Sequence, residues 1–340
     1  MKSIVYTHNG PADVLHLVER PVPEPGIGEV RVRMVVSGVN PTDWKSRVGA
    51  GDGAQLPEPR VPNQDGAGVI DACGGGVRDL AVGDRVWVWD AAFERPEGTA
   101  QHYVVLPLNQ VVPLPDRVSF DVGASLGIPA LTAHRALTCV DGGAAVLAPG
   151  ALAGRTVLVT GGAGAVSHAA IQLATWAGAV VVTTVSSQGK ADLARRAGAH
   201  HVVNYREENV VERVLELAPG GVDTVVEVNA TANLASSVAV IAPGGTIAIY
   251  TSEEPEFLPV PVRQSMTKNI RYQFILTYTT TPQQKADAVR AVAAAAADGA
   301  LEVGEEHGLP TTRFPLAATA DAHRAVENQT VGKVLIDIRQ

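Results

Sequence analysis

The chain has 340 residues, 46% of them hydrophobic and 4% aromatic, with a formal net charge of −8. That length accommodates two domains, and apolar content without a long uninterrupted apolar span excludes a membrane-spanning design in favour of a globular one. The acidic balance argues against nucleic acid as a partner, and two widely spaced cysteines, Cys73 and Cys139, exclude a disulfide framework or a cysteine-rich zinc site.

The opening Met1-Lys2-Ser3-Ile4-Val5-Tyr6 runs straight into a strand-like pattern and shows no signal peptide, so the cytoplasm is the expected location and no membrane partner is expected. The segment Glu29-Val30-Arg31-Val32-Arg33-Met34-Val35-Val36 starts with strict alternation, the pattern of a half-buried strand. Further short strands are expected at 69–72, 84–89 and 101–105, with Gly and Pro punctuation at Pro21 to Pro25 and Gly74-Gly75-Gly76. Short strands at such spacing predict a barrel or sandwich. Near residue 119 the texture changes to helices alternating with apolar strands, which predicts a parallel sheet with helical crossovers. Strands are expected at 156–160, 180–185, 223–228, 245–250 and 270–276. Helices are expected near 164–177, 189–197, 207–217 and 233–241, followed by an Ala-rich helix from Gln283 to Ala297. The tail, Gly332 to Ile338, reads as a last strand that pattern alone assigns to neither domain.

The most informative stretch is Val157-Leu158-Val159-Thr160-Gly161-Gly162-Ala163-Gly164-Ala165-Val166-Ser167. An apolar strand, a glycine turn and a helical pattern follow without a break. Such a turn lets backbone approach a pyrophosphate, and the helix start offers N–H groups and partial positive charge. Gly162 and Gly164 fit the first two positions of G-x-G-x-x-G, and Ser167 takes the third, where a small residue serves helix–strand packing. Dinucleotide folds that prefer NAD carry an acid at the end of the second strand to bind the ribose hydroxyls. Here that place holds Ser186, with Lys190 one helical turn on and Tyr205-Arg206 closing the next strand-like segment. Without a carboxylate to repel a 2′-phosphate, the expected cofactor is NADPH.

The strand-rich first part, the nucleotide-binding second part and the returning tail resemble the medium-chain dehydrogenase/reductase superfamily, within it the zinc-independent quinone oxidoreductases, the zeta-crystallin group. The segments that carry the likeness are Gly38-Val39-Asn40-Pro41-Thr42-Asp43, Gly66-Ala67-Gly68-Val69-Ile70, Val82-Gly83-Asp84-Arg85-Val86, Gly127-Ile128-Pro129-Ala130-Leu131-Thr132-Ala133, Asn204-Tyr205-Arg206-Glu207 and Gly332-Lys333-Val334. The resemblance implies an α/β protein: a GroES-like β-barrel catalytic domain over 1–122, completed by 285–340, and a Rossmann-fold NADPH-binding domain over 123–284. It also implies a cleft between the domains and a homodimer. Zinc relatives place Cys and His in stretches that here read Ser37-Gly38-Val39-Asn40 and Asn63-Gln64-Asp65, so no metal is expected.

The same resemblance implies the site residues. Ala163, Gly164, Ala165 and Val166 would hold the pyrophosphate, and Ser186, Lys190 and Tyr205 the 2′-phosphate end. Asn233 matches a polar cofactor contact. Tyr250, Thr251 and Ser252 would line the nicotinamide side, with Phe274, Ile275 and Leu276 offering backbone groups to its carboxamide. Lys45 stands where the family often has Tyr and is counted with the cofactor side. Asn40 and Thr132 would be the catalytic pair, donating hydrogen bonds to the substrate oxygen. Each also has a plain structural reading: Asn40 as a turn cap before Pro41, Thr132 as a buried helix hydroxyl, Phe274 as core, and Asp65 as a backbone-bonded carboxylate. His102, His134 and His168 stand singly and read as structural or exposed.

The implied chemistry is hydride transfer from NADPH to a quinone-like acceptor. Two other readings stay open. One is reduction of an enone or enoyl thioester, with Tyr250 available as proton donor. The other is a non-catalytic NADPH-binding protein with a structural or regulatory role.

Overall fold

The computed structural model describes residues 1–49, 51, 53–251 and 257–338. The first part of the chain is rich in strands: β1 (Lys2–His8), β2 (His16–Glu19), β3 (Glu29–Val39), α1 (Pro41–Val48), β4 (Gln55–Arg60), β5 (Asp65–Cys73), β6 (Arg85–Val88), β7 (Tyr103–Pro107), β8 (Val111–Pro113) and α2 (Phe120–Ser125). The expected alternation organises it. In β3, Val30, Val32, Met34 and Val36 are buried while Arg31, Arg33 and Val35 stay half-open. Beyond Val36 every residue of β3 is buried, because the strand then lies between neighbours on both faces. It delivers Asn40 into the interior.

The second part is wound α/β: α3 (Leu131–Thr138), β9 (Thr156–Val159), α4 (Ala165–Trp176), β10 (Val180–Val185), α5 (Gln188–Arg196), β11 (His201–Asn204), α6 (Val210–Leu217), β12 (Val222–Glu227), α7 (Ala230–Val240), β13 (Ile241–Ile249), α8 (Val262–Lys268), β14 (Arg271–Phe274) and α9 (Pro282–Ala297). Its six strands pair in parallel in the order β11-β10-β9-β12-β13-β14. Counted from β9, that is the 3-2-1-4-5-6 order of a dinucleotide-binding sheet, with its switch point between β9 and β12. Leu158, Val182, Val225 and Ile247 form the core of this unit.

The tail adds β15 (Thr311–Pro315), α10 (Thr319–Glu327) and β16 (Lys333–Asp337). β16 pairs antiparallel with β3, which settles its place in the seven-stranded sheet of the first unit. Met34, Ile70, Val86, Leu106 and Ile336 share one core there.

The units are Met1–Ile128 with Pro310–Gln340, and Pro129–Leu309, so the expected boundaries at 122/123 and 284/285 move. The physical reason is packing. Helix α2 lies on β5 and stays with the first sheet. Helix α9 buries its Ala288, Ala291, Val292, Ala295 and Ala296 face and packs on α3, which keeps it in the second unit.

Candidate functional site

The glycine turn lies at the carboxyl end of β9, at the switch point. Gly161 has φ +67°, and a Cβ there would come within 2.9 Å of Val228 Cγ1, so the tight turn requires glycine at this position. A Cβ on Gly162 would fall 2.3 Å from Thr183 Oγ1, so this glycine allows close approach to β10. Gly164 is exposed, with the nearest atom to a built Cβ 3.5 Å away. The turn glycine is therefore Gly161 and not Gly162, whereas Gly164 keeps the open place expected of it.

Gly164 is also the N-cap of α4, and no side chain caps that helix. The first-turn amides of Ala165 and Val166 thus have no intrahelical partner and face the helix N-terminus. Ala163 is buried beside them. Ser167, in the third-glycine place, is fully buried and donates to the Thr160 carbonyl at 2.8 Å, tying the helix start to the strand. A glycine would pack as closely but make no such bond.

At the end of β10 the Lys190 ammonium donates to Ser186 Oγ at 3.2 Å, and Ser187 caps α5 by accepting from the Lys190 amide. Tyr205 follows the adjacent β11, half-exposed, with its amide on the Val185 carbonyl. Ser186, Lys190 and Tyr205 thus gather at one corner, with a cation and hydroxyls and no acid at the end of β10.

Sequence reasoning missed Glu227, which closes β12. It is fully buried and accepts from Thr160 Oγ1 at 3.0 Å, the Asn229 amide at 2.7 Å, Asn233 Nδ2 at 2.9 Å and Ser237 Oγ at 2.9 Å. Asn233 is therefore anchored by this carboxylate. The signal was a lone acid ending the apolar run Val225-Val226-Glu227. Tyr250 sends its hydroxyl to Ser167, 3.1 Å away. Because the Ser167 proton serves Thr160, Tyr250 is the donor in that pair. Burial pushes its pKa well above the ordinary phenol value. Thr251 is half-buried, and Ser252 lies outside the described residues. Ile275 is buried with its amide on the Ile249 carbonyl, whereas Phe274 and Leu276 are 63% and 57% exposed, so the core reading of Phe274 is overturned.

The first unit holds a second polar centre. Asn40 is the N-cap of α1, before Pro41 at the first helical position. Its side chain is buried, donating from Nδ2 to Asp65 Oδ2 at 2.7 Å and accepting at Oδ1 from Lys333 Nζ at 2.6 Å. Asp43 accepts the Asn40 and Gln64 amides at 2.7 and 3.1 Å, and Asp65 accepts the Ile128 amide at 3.0 Å. Burial pushes the Asp43 carboxyl up to about 8 and that of Asp65 up to about 6. Burial also depresses the Lys333 ammonium. Lys45 is exposed, its ammonium 5.8 Å from the Trp44 ring. Thr132 is buried in the first turn of α3, in the other unit from Asn40. His134 and His168 are buried and His102 half-buried; His168 Nε2 meets the His307 carbonyl at 2.8 Å.

Residues 26–116 match the family model of the alcohol dehydrogenase GroES-like domain, and residues 165–300 that of the zinc-binding dehydrogenases. Quinone oxidoreductase of Sus scrofa is 28% identical over 338 residues, 98% of this chain and 96% of that protein. A mycobacterial protein solved in complex with NADPH is 30% identical, with a TM-score of 0.80 over 99% of each chain. A solved NAD-dependent alcohol dehydrogenase is 29% identical, with a TM-score of 0.85 over 100% of each chain. The chain belongs to the medium-chain dehydrogenase/reductase superfamily, in its zinc-independent quinone oxidoreductase group.

One of the superfamily's matching models is named for zinc, and the donor set here does not fit that ion. Ser37 Oγ is taken by Asn63 Nδ2 and Thr99 Oγ1, and Gln64 Oε1 by the Ala92 amide. Asn63 Oδ1 pairs with His323 Nε2. An ammonium already sits on Asn40. No thiolate or free imidazole remains in these stretches. Among the described residues no group of three His, Cys, Asp or Glu side chains is placed to hold a metal.

Proposed function

We propose that the protein is an NADPH-dependent oxidoreductase that transfers hydride to a quinone-like conjugated acceptor without a metal. The observation that carries the reading is the open Gly164 before an uncapped α4, at the switch point of a 3-2-1-4-5-6 sheet. The α4 amides of Ala165 and Val166 bind the diphosphate, helped by the positive end of the helix. Lys190 and Ser186 bind the 2′-phosphate, with Tyr205 beside them. NADPH, when bound, supplies the hydride from its nicotinamide. Asn233, Tyr250, Thr251 and the backbone from Phe274 to Leu276 shape the nicotinamide side; Ser252 and Lys45 complete the proposed set. Asn40 and Thr132 stabilise the charge that grows on the acceptor oxygen.

A quinone is favoured over an enone for a specific reason. The Tyr250 proton is committed to Ser167, which removes the one side chain assigned as proton donor for enone reduction. A quinone needs little acid catalysis. Because a structural relative is named as NAD-dependent, the deciding experiment compares both cofactors. NADPH and NADH are titrated by nucleotide fluorescence, then NADPH oxidation is followed with 1,4-benzoquinone and with an α,β-unsaturated ketone. Saturable NADPH binding with faster quinone turnover supports the reading. Faster enone turnover supports the reductase alternative, and tight NADPH binding without turnover the non-catalytic one.

The proposal extends to a cytoplasmic homodimer. Cys73 and Cys139 are unpaired thiols, as a reducing compartment keeps them. Strand β14 ends the parallel sheet, and Phe274, Leu276, Met266 and Val262 stand exposed around it. An apolar edge of this kind calls for a partner. Sedimentation of the wild type and of Phe274→Asp tests it: a dimer dissociated by the substitution supports the reading, and a monomeric wild type removes it. No described helix is long and apolar enough to cross a membrane.

A further inference from the structure

We infer that Lys333 is a positioning residue for Asn40, holding its carboxamide in one orientation and polarising it toward the acceptor oxygen. The inference rests on the proposed role of Asn40 as a donor to that oxygen. It starts from the order of charges around one amide. Lys333 Nζ donates to Asn40 Oδ1 at 2.6 Å and to the Val39 carbonyl at 3.2 Å. Asn40 Nδ2 donates to Asp65 Oδ2 at 2.7 Å. The amide thus lies between an ammonium on its oxygen and a carboxylate on its nitrogen.

Two physical consequences follow. An ammonium only donates, so it holds the amide oxygen on its own side and forbids the flipped rotamer. Positive charge at the oxygen and negative charge at the nitrogen both favour the dipolar resonance form of the amide. The ammonium on the oxygen draws density from the amide, so the second Nδ2 hydrogen, which Asp65 does not use, becomes a stronger donor than it would be without Lys333. The cation stands against the segment where zinc relatives carry a ligand, so a tethered ammonium supplies the local positive charge.

The fold makes room for this arrangement at two glycines. A Cβ on Gly38 would meet Lys333 Cε at 3.2 Å and the Ala124 carbonyl at 2.1 Å. A Cβ on Gly127 would meet Asp65 Oδ1 at 2.0 Å. Lys333, Asn40, Asp43 and Asp65 are all at most 3% exposed. A lysine placed merely to balance two acids would gain more by touching one of them than by bonding an amide.

Lys333→Met alone leaves Asp43 and Asp65 without a cation and endangers the fold. The charge-balanced double variant Lys333→Met with Asp65→Asn is therefore the main test. Its NADPH Kd is expected to stay within about twofold of wild type, while kcat with 1,4-benzoquinone falls about 10–100-fold. A folded double variant with wild-type kcat overturns the inference. A second readout needs no turnover. In protein labelled at asparagine, the Asn40 side-chain signals are identified by their loss in Asn40→Leu, and their hydrogen exchange is measured. Exchange about tenfold faster in the double variant than in Asp65→Asn alone is expected, and equal exchange in the two overturns the positioning role. If wild-type protein turns over no quinone, the functional reading fails while the exchange experiment still judges the orientation.

Discussion

The hydroxyl of Tyr250 donates to Ser167 Oγ across 3.1 Å, and Ser167 passes its own proton to the Thr160 carbonyl at 2.8 Å. Strand β13, helix α4 and strand β9 are joined by this two-bond chain beneath the glycine turn. Tyr250→Phe is therefore expected to remove about 1 kcal/mol of stability. The pH dependence of turnover should not move, because the phenol proton is held in the protein and not delivered to substrate. Urea unfolding and a pH–rate profile check both parts. Loss of an ionisation from the profile would show the tyrosine acting as an acid.

The glycine turn gives a contrast between neighbours. Gly162→Ala drives a methyl into Thr183, at 2.3 Å from its Oγ1, so the expected result is lower stability at unchanged chemistry of the turn surface. Gly164→Ala makes only an ordinary contact, 3.5 Å from the Gly161 carbonyl oxygen, and keeps an ordinary extended backbone, so the fold should stand. Its methyl projects where the diphosphate approaches, and NADPH affinity is expected to fall roughly tenfold or more, the scale of a lost charge-assisted hydrogen bond. Thermal melts and fluorescence titration of the two variants separate the effects. Equal affinity in Gly164→Ala and wild type would place the diphosphate elsewhere.

Cofactor choice rests on Lys190. Its ammonium donates to Ser186, at a strand end that carries no carboxylate. Lys190→Ala should weaken NADPH binding roughly ten- to a hundredfold, from a charge-assisted bond of about 1.5–3 kcal/mol, and leave NADH almost unchanged. Parallel titrations with both nucleotides decide it. Equal losses for both would remove the 2′-phosphate assignment.

What the sequence made legible was local. The β9–turn–α4 unit stands out because strand, glycine turn and helix are contiguous, and the corner at Ser186 and Lys190 lies within one helical turn of a strand end. The alternation in β3 is likewise a short-range pattern. The Asn40–Asp65–Lys333 centre was not legible as a centre, because it joins residues up to 293 positions apart and depends on β16 pairing with β3. Asn40 itself stood out by resemblance, but nothing in Gly332-Lys333-Val334 says where that ammonium ends. Glu227 was missed for a related reason: a carboxylate closing an apolar strand looks like a surface residue until four donors converge on it. The boundary at α9 went astray because an Ala-rich helix carries no mark of which layer it will cover.

The buried histidines predict how stability depends on pH. His168 is enclosed with Nε2 on the His307 carbonyl, and burial lowers its pKa to about 4 from an ordinary value near 6.5. In the folded chain it stays neutral where the unfolded chain takes up a proton. Stability is thus fully present above about pH 6.5 and is lost as pH falls toward about 4. Between pH 7 and pH 5 this one group removes on the order of 2 kcal/mol. Asp43 and Asp65 act in the opposite sense, since their raised values favour the folded state as they take up protons on the acid side. Comparing His168→Gln with wild type cancels that background. Urea midpoints at the two pH values should show a clearly smaller acid loss in the variant, even if the variant is less stable at pH 7. An acid loss as large as that of wild type would mean that His168 takes up its proton without opening the fold.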